Sequence, residues 1–109
     1  MSFLVYVTAP HEALALDLAR ALVGEGLAAG VNIVPGARSI YRWRGEVHDE
    51  AECLLLAQVS RAALPAFEEA VKRLHPYEVP CIVAVPIEAG HVPFLHWIQE
   101  NSQPPMFES

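Results

Sequence analysis

The sequence predicts an α+β fold, a ferredoxin-like βαββαβ sandwich with a long β-hairpin and a C-terminal helix, built into an oligomer. Three observations carry that reading. Short β-branched runs alternate with two amphipathic stretches in the order βαββαβ. Two β patterns flank a turn at Arg44-Gly45 or the residues just after it and make a hairpin too long for one small body to cover. Hydrophobic residues make up 53 % of 109 residues, more than so small a domain readily buries by itself, which points to burial between subunits.

Phe3-Leu4-Val5-Tyr6-Val7 reads as a buried strand that ends at Thr8-Ala9-Pro10. From Glu12 to Val23, Leu14, Leu18, Ala21 and Leu22 share one helical face, and Gly24-Glu25-Gly26 closes the helix. The next β pattern starts near Ala29, runs through Val34, is bent or bulged by Pro35-Gly36, and resumes as Ser39–Arg44. In the resumed part Ser39, Tyr41 and Trp43 lie on one face and Ile40, Arg42 and Arg44 on the other. Ala51 to Ser60 returns as the second limb. Leu64, Phe67, Val71 and Leu74 repeat at helical spacing, and His75-Pro76 ends that helix. Cys81–Ile87 is the fourth strand and Val92–Glu100 a short helix. The chain is one domain over 1–109, with about 102–109 as a tail. A small α/β layer with a different strand pairing satisfies the same periodicities.

The formal net charge is −6, from 13 acidic against 7 basic residues, and only Arg38, Arg42 and Arg44 approach a basic cluster, so nucleic acid is not expected as a partner. The longest apolar run, Val79–Ile87, is nine residues with two prolines, against about 20 for a bilayer span, so no membrane helix is expected. The amino-terminal residues carry no basic region or small-residue cleavage site, and the reading is cytoplasmic. Cys53 and Cys81, without CxxC spacing, are expected as free thiols.

The stretch Gly24–Gly30 follows a helix instead of opening one, so it is not a dinucleotide-binding loop. Phosphate-loop, zinc-protease and serine-hydrolase signatures are missing, and no enzyme activity is expected. His91 and His96 are five apart, about 140° around a helix, and cannot share a face. Glu46, His48, Asp49, Glu50 and Glu52 cluster near the hairpin tip; a solvated acidic edge that blocks strand pairing accounts for them better than an ion site. Cys81 and His75 are the soft and borderline donors that a turn could bring together, a pair that suits copper. The plainer alternative has Cys81 as a small buried hydrophobe and His75 capping the helix end. Ser39, Tyr41 and Trp43 suit sheet packing and a ligand cleft equally.

Ala28–Gly36, Ser39–Gly45 and His75-Pro76-Tyr77-Glu78-Val79-Pro80, with Thr8-Ala9-Pro10 and Phe94-Leu95-His96-Trp97, closely resemble the signature stretches of the divalent-cation tolerance family, CutA. The resemblance covers nearly the whole chain. It implies a tight homotrimer assembled through the long hairpin, similar to PII signalling proteins, and a non-enzymatic role in tolerance of copper and other divalent cations. The copper ligands suggested for some members fall here on Val7, Leu74 and Cys81. Two of these have no donor and the third offers sulfur in place of oxygen, so the expected metal pair is His75 with Cys81. Gly30 stands where the family commonly has Cys, and Gln58-Val59 where it often has Lys-Thr. The resemblance also implies a cleft between subunits, lined here by Tyr41, Trp43, Glu52, Tyr77 and Glu78, for a cation, copper foremost, or a small ligand. The alternative is a PII-like signalling or adaptor trimer that docks a protein partner and has no metal site.

Overall fold

In the computed structural model, which describes residues 1–105, strand β1 (Ser2–Ala9) turns Val5, Val7 and Ala9 into the core, each no more than 1 % exposed. Helix α1 (Glu12–Gly24) follows, capped by His11, whose Nδ1 accepts the Leu14 N–H at 3.2 Å. Its buried face is Ala15, Leu18, Ala19 and Leu22. Strands β2 (Gly30–Trp43) and β3 (Glu46–Ser60) form the hairpin, closed by Arg44 and Gly45 at φ 50° and 80°, the left-handed conformation of a tight hairpin turn. Helix α2 (Leu64–Leu74) starts with Pro65 in its first turn and buries Phe67, Ala70 and Val71. It ends because His75 precedes proline and is extended, with ψ 137°. Strand β4 (Ile82–Pro86) and helix α3 (Val92–Asn101) complete the order.

The sheet order is β2-β3-β1-β4 with every neighbouring pair antiparallel. That is the ferredoxin-like arrangement, and it excludes the alternative pairing. On β3, Cys53, Leu55, Ala57 and Val59 join the inward residues of β1 and the buried faces of α1 and α2 in one core. The opposite face of the sheet carries the even-numbered residues of β1 and the odd-numbered residues of β4 and has no comparable cover: Val34, Val83 and Val85 are exposed.

Several boundaries differ from those read off the sequence. The second hairpin limb starts at Glu46 instead of Ala51, because a limb projecting beyond the body has no inward face and shows no apolar alternation there. Strand β4 is one residue shorter at each end than Cys81–Ile87. Ser102 is fully buried, so it belongs to the body and not to a tail; residues 106–109 lie outside the described part. The Ser102 Oγ accepts the Ser60 N–H at 2.8 Å and donates to the Leu27 carbonyl at 2.7 Å, while the Ser60 Oγ donates to the Ser102 carbonyl at 2.6 Å. At Gly30 a Cβ would stand 2.8 Å from Gln58 Oε1 and 3.1 Å from the Trp97 ring, so the glycine permits α3 to close onto the hairpin base.

Ser102→Ala leaves the buried Ser60 N–H without its acceptor and should cost about 1–3 kcal/mol in denaturant unfolding at fixed chain concentration. An unchanged unfolding midpoint would mean that this knot of bonds does not hold α3 to the sheet.

Candidate functional site

Residue pairing shifts between Val34 and Ala37: Val34 faces Leu54, and Ala37 faces Glu52. Three steps along β2 therefore match two along β3, a bulge at Pro35-Gly36, where Gly36 has φ 82°. Side chains alternate with a period of two, so the extra residue exchanges the faces of β2 beyond it. Ala37, Ser39, Tyr41 and Trp43 then join the sheet face that Asn32 and Val34 occupy before it, along with Glu50 and Glu52 of β3. That same face of β1 carries Tyr6 and Thr8. The segment from Pro76 to Cys81, between α2 and β4, closes the far side.

The result is an open cleft of about 740 Å³. Tyr41, Trp43, Glu52, Tyr77, Glu78 and Cys81 all line it, together with Tyr6, Thr8 and Val79, which the sequence did not single out. The signal for Tyr6 and Thr8 was present in the alternation of β1, but only the pairing of β1 with β3 shows which face they share with Glu52. His75 is different. It is buried behind the cleft wall, its Nε2 lies 2.7 Å from the Thr8 carbonyl, and its Nδ1 accepts the Tyr77 N–H at 3.2 Å. Those partners assign the tautomer with hydrogen on Nε2, and they occupy both ring nitrogens. A metal that bound His75 beside Cys81 would have to displace one of them. Among the described residues no cluster of three or more His, Cys, Asp or Glu is placed to hold a metal ion. Val7 lies in the core and Leu74 on the surface, neither in the cleft.

The polar contacts within the cleft join carboxylates to phenols. Tyr77 donates to Glu52 at 2.9 Å and Tyr41 donates to Glu50 at 3.0 Å. Glu52 is only 8 % exposed. Burial first, and then its bond to the Glu52 carboxylate, hold the Tyr77 hydroxyl well above the ordinary phenol range. Tyr41 is raised too, chiefly by its bond to Glu50. Burial, reinforced by Glu52, also pushes the Cys81 thiol up. The acidic stretch of the hairpin is divided by the pleat. Asp49 turns away to pair with Arg38, while His48 stacks on Tyr41 with ring centres 5.1 Å apart and planes 14° from parallel. Arg44 pairs with Glu78 at 2.7 Å, but both groups are about 70 % exposed, so the bridge contributes little.

Residues 3–101 match the family model described as CutA1 divalent ion tolerance protein. The chain is 52 % identical over 102 residues to the divalent-cation tolerance protein CutA of Thermus thermophilus, covering 94 % of this chain and 99 % of that one. It is 41 % identical over 98 residues to protein CutA of Mus musculus, of which it spans 55 %. The solved structure of the Thermus protein superposes with a TM-score of 0.91 over 94 % of this chain and 99 % of the other. A Nostoc protein described as PII-like CutA superposes with a TM-score of 0.86 at 30 % identity, over 93 % and 97 % of the two chains.

A phenol whose folded-state pKa is raised contributes its full stability below the ordinary value of 10.0 and loses it as the pH rises through the folded value. Glu52→Gln removes the carboxylate's share of the Tyr77 shift and leaves the share due to burial. In an ultraviolet titration of tyrosinate, the variant should therefore ionise one phenol at lower pH than the wild type, still above 10.0. Identical titration curves would show that Tyr77 and Glu52 do not meet.

Proposed function

This chain belongs to the CutA divalent-ion tolerance family, and from that premise we propose that it works in the cytoplasm as a homotrimer whose clefts take up a cation or a small ligand in the response to metal ions. The cleft carries the proposal: aromatic rings, a nearly buried carboxylate and a half-buried thiol converge on about 740 Å³, within the usual range for small-molecule sites. The trimer is supported by the uncovered sheet face at Val34, Val83 and Val85, an apolar patch of the kind that symmetric oligomers bury. The free thiols Cys53 and Cys81 suit a reducing compartment. No helix among the described residues is long and apolar enough to cross a membrane.

Copper or another divalent cation bound in the cleft would draw on Cys81 and Glu52 from one chain and complete its shell from outside that chain, because both nitrogens of His75 are engaged. We assign no catalytic step. A second reading, a PII-like adaptor trimer that docks a protein partner, is favoured by Phe94 and Trp97 of α3, exposed with ring centres 5.1 Å apart.

Sedimentation of the reduced, metal-stripped protein should give a particle of about 36 kDa, three chains of 12.0 kDa. Calorimetric titration of that particle with zinc or copper should saturate, and Cys81→Ser should weaken the binding at least tenfold. A 12.0 kDa species would overturn the trimer. Saturation that Cys81→Ser leaves untouched would move the metal out of the cleft, and lack of saturation at two temperatures would remove it from the proposal.

A further inference from the structure

The charges around the cleft do not balance. Glu78 and Arg44 neutralise each other, as do Arg38 and Asp49. Glu50 and Glu52 are left, two residues apart on the same face of β3, and among the described residues neither forms an ion pair with Lys, Arg or His. Each is hydrogen-bonded by a neutral phenol. Glu52 keeps that arrangement at 8 % exposure, and a carboxylate so far removed from water favours a positive partner. The walls beside the carboxylates are the rings of Tyr41 and Tyr77, whose hydroxyls reach Glu50 and Glu52 and whose π faces are negative. Trp43 already holds one cation in this way, the Arg44 guanidinium 5.4 Å from its ring centre.

A hard divalent ion gains little from aromatic faces and needs a full set of oxygen ligands. A weakly hydrated organic cation uses both features. Resting on the cleft reading above, we infer that the cleft recognises an organic ammonium ion, its charge seated between Glu52 and the faces of Tyr41 and Tyr77. The volume, about 740 Å³, also leaves room for an organic body attached to the charged head.

The test is a proton NMR titration of the intact reduced protein with tetramethylammonium chloride, and with tert-butanol as a neutral ligand of similar shape. Contact with ring faces moves the methyl resonance upfield. The ammonium should show a saturable upfield shift, and tert-butanol should bind at least tenfold more weakly. Tyr41→Leu should weaken ammonium binding about tenfold, the loss of one cation–π contact together with its packing. Tyr41 lies on the projecting hairpin and is 38 % exposed, so the variant is expected to fold. Glu52→Gln, which keeps the shape and removes the charge, should weaken binding to a similar extent. Trp97→Phe, outside the cleft, should have no effect. Equal binding of tert-butanol, or full binding by Tyr41→Leu, would overturn the inference. If tetramethylammonium fails to bind while zinc or copper still saturates a site sensitive to Cys81→Ser, the cleft stands and its ammonium selectivity falls; if neither binds, both fall.

Discussion

One imidazole ties the far wall of the cleft to the sheet. His75 leaves the end of α2 in an extended conformation forced by Pro76, enters the space between helix and sheet, and bonds the Thr8 carbonyl on one side and the Tyr77 N–H on the other. The first bond secures the chain after α2 to β1. The second fixes the turn that sends the Tyr77 ring, 4.6 Å from the imidazole between ring centres, across to Glu52. Removing the imidazole would free the Tyr77 segment and leave Glu52 without its phenol. The His-Pro-Tyr sequence thus makes sense as one mechanical unit: a proline that stops a helix, a histidine that anchors the stop, and a tyrosine that reaches the site.

Strand pairing supplies the rest of the wall, and the bulge at Pro35-Gly36 decides its chemistry. Without the extra residue on β2, the ladder would carry Ile40 and Arg42 into the cleft and Tyr41 and Trp43 out of it. The local sequence is suited to the task, since Pro35 cannot donate to a ladder and Gly36 accepts a positive φ. The proposed assembly adds a second demand on the same face. Val34, Val83 and Val85 stand on it beyond the cleft, so the surface proposed to bury subunits and the surface that binds ligand are neighbours on one sheet. Ligand binding in such an arrangement is positioned to feel the quality of subunit packing.

Much of this was legible in the residues. The order of elements, the hairpin turn at Arg44-Gly45, the break at Pro35-Gly36 and the grouping of Ser39, Tyr41 and Trp43 all follow from periodicity and turn chemistry, which are local properties. Tyr41, Trp43, Glu52, Tyr77 and Glu78 line one cleft of the single chain. What could not be read is non-local. The start of β3 at Glu46 leaves no apolar signature, and the burial of Ser102 depends on a hydroxyl 42 residues away. The role of His75 depends on a carbonyl 67 residues away, and chain proximity alone paired it with Cys81 as a metal donor. Composition shows that a donor is present; only the fold shows whether its lone pairs are spoken for.

His75 acts as a fixed structural clamp, and its ring nitrogens report on that directly. Long-range nitrogen–proton correlation spectra of the reduced protein should show the His75 ring as the tautomer with hydrogen on Nε2, the form in which Nε2 donates to Thr8 and Nδ1 accepts from Tyr77. Those signals should stay in place when zinc is added. The opposite tautomer, or displacement of the His75 nitrogens by zinc, would contradict the account and return His75 to the metal-binding set.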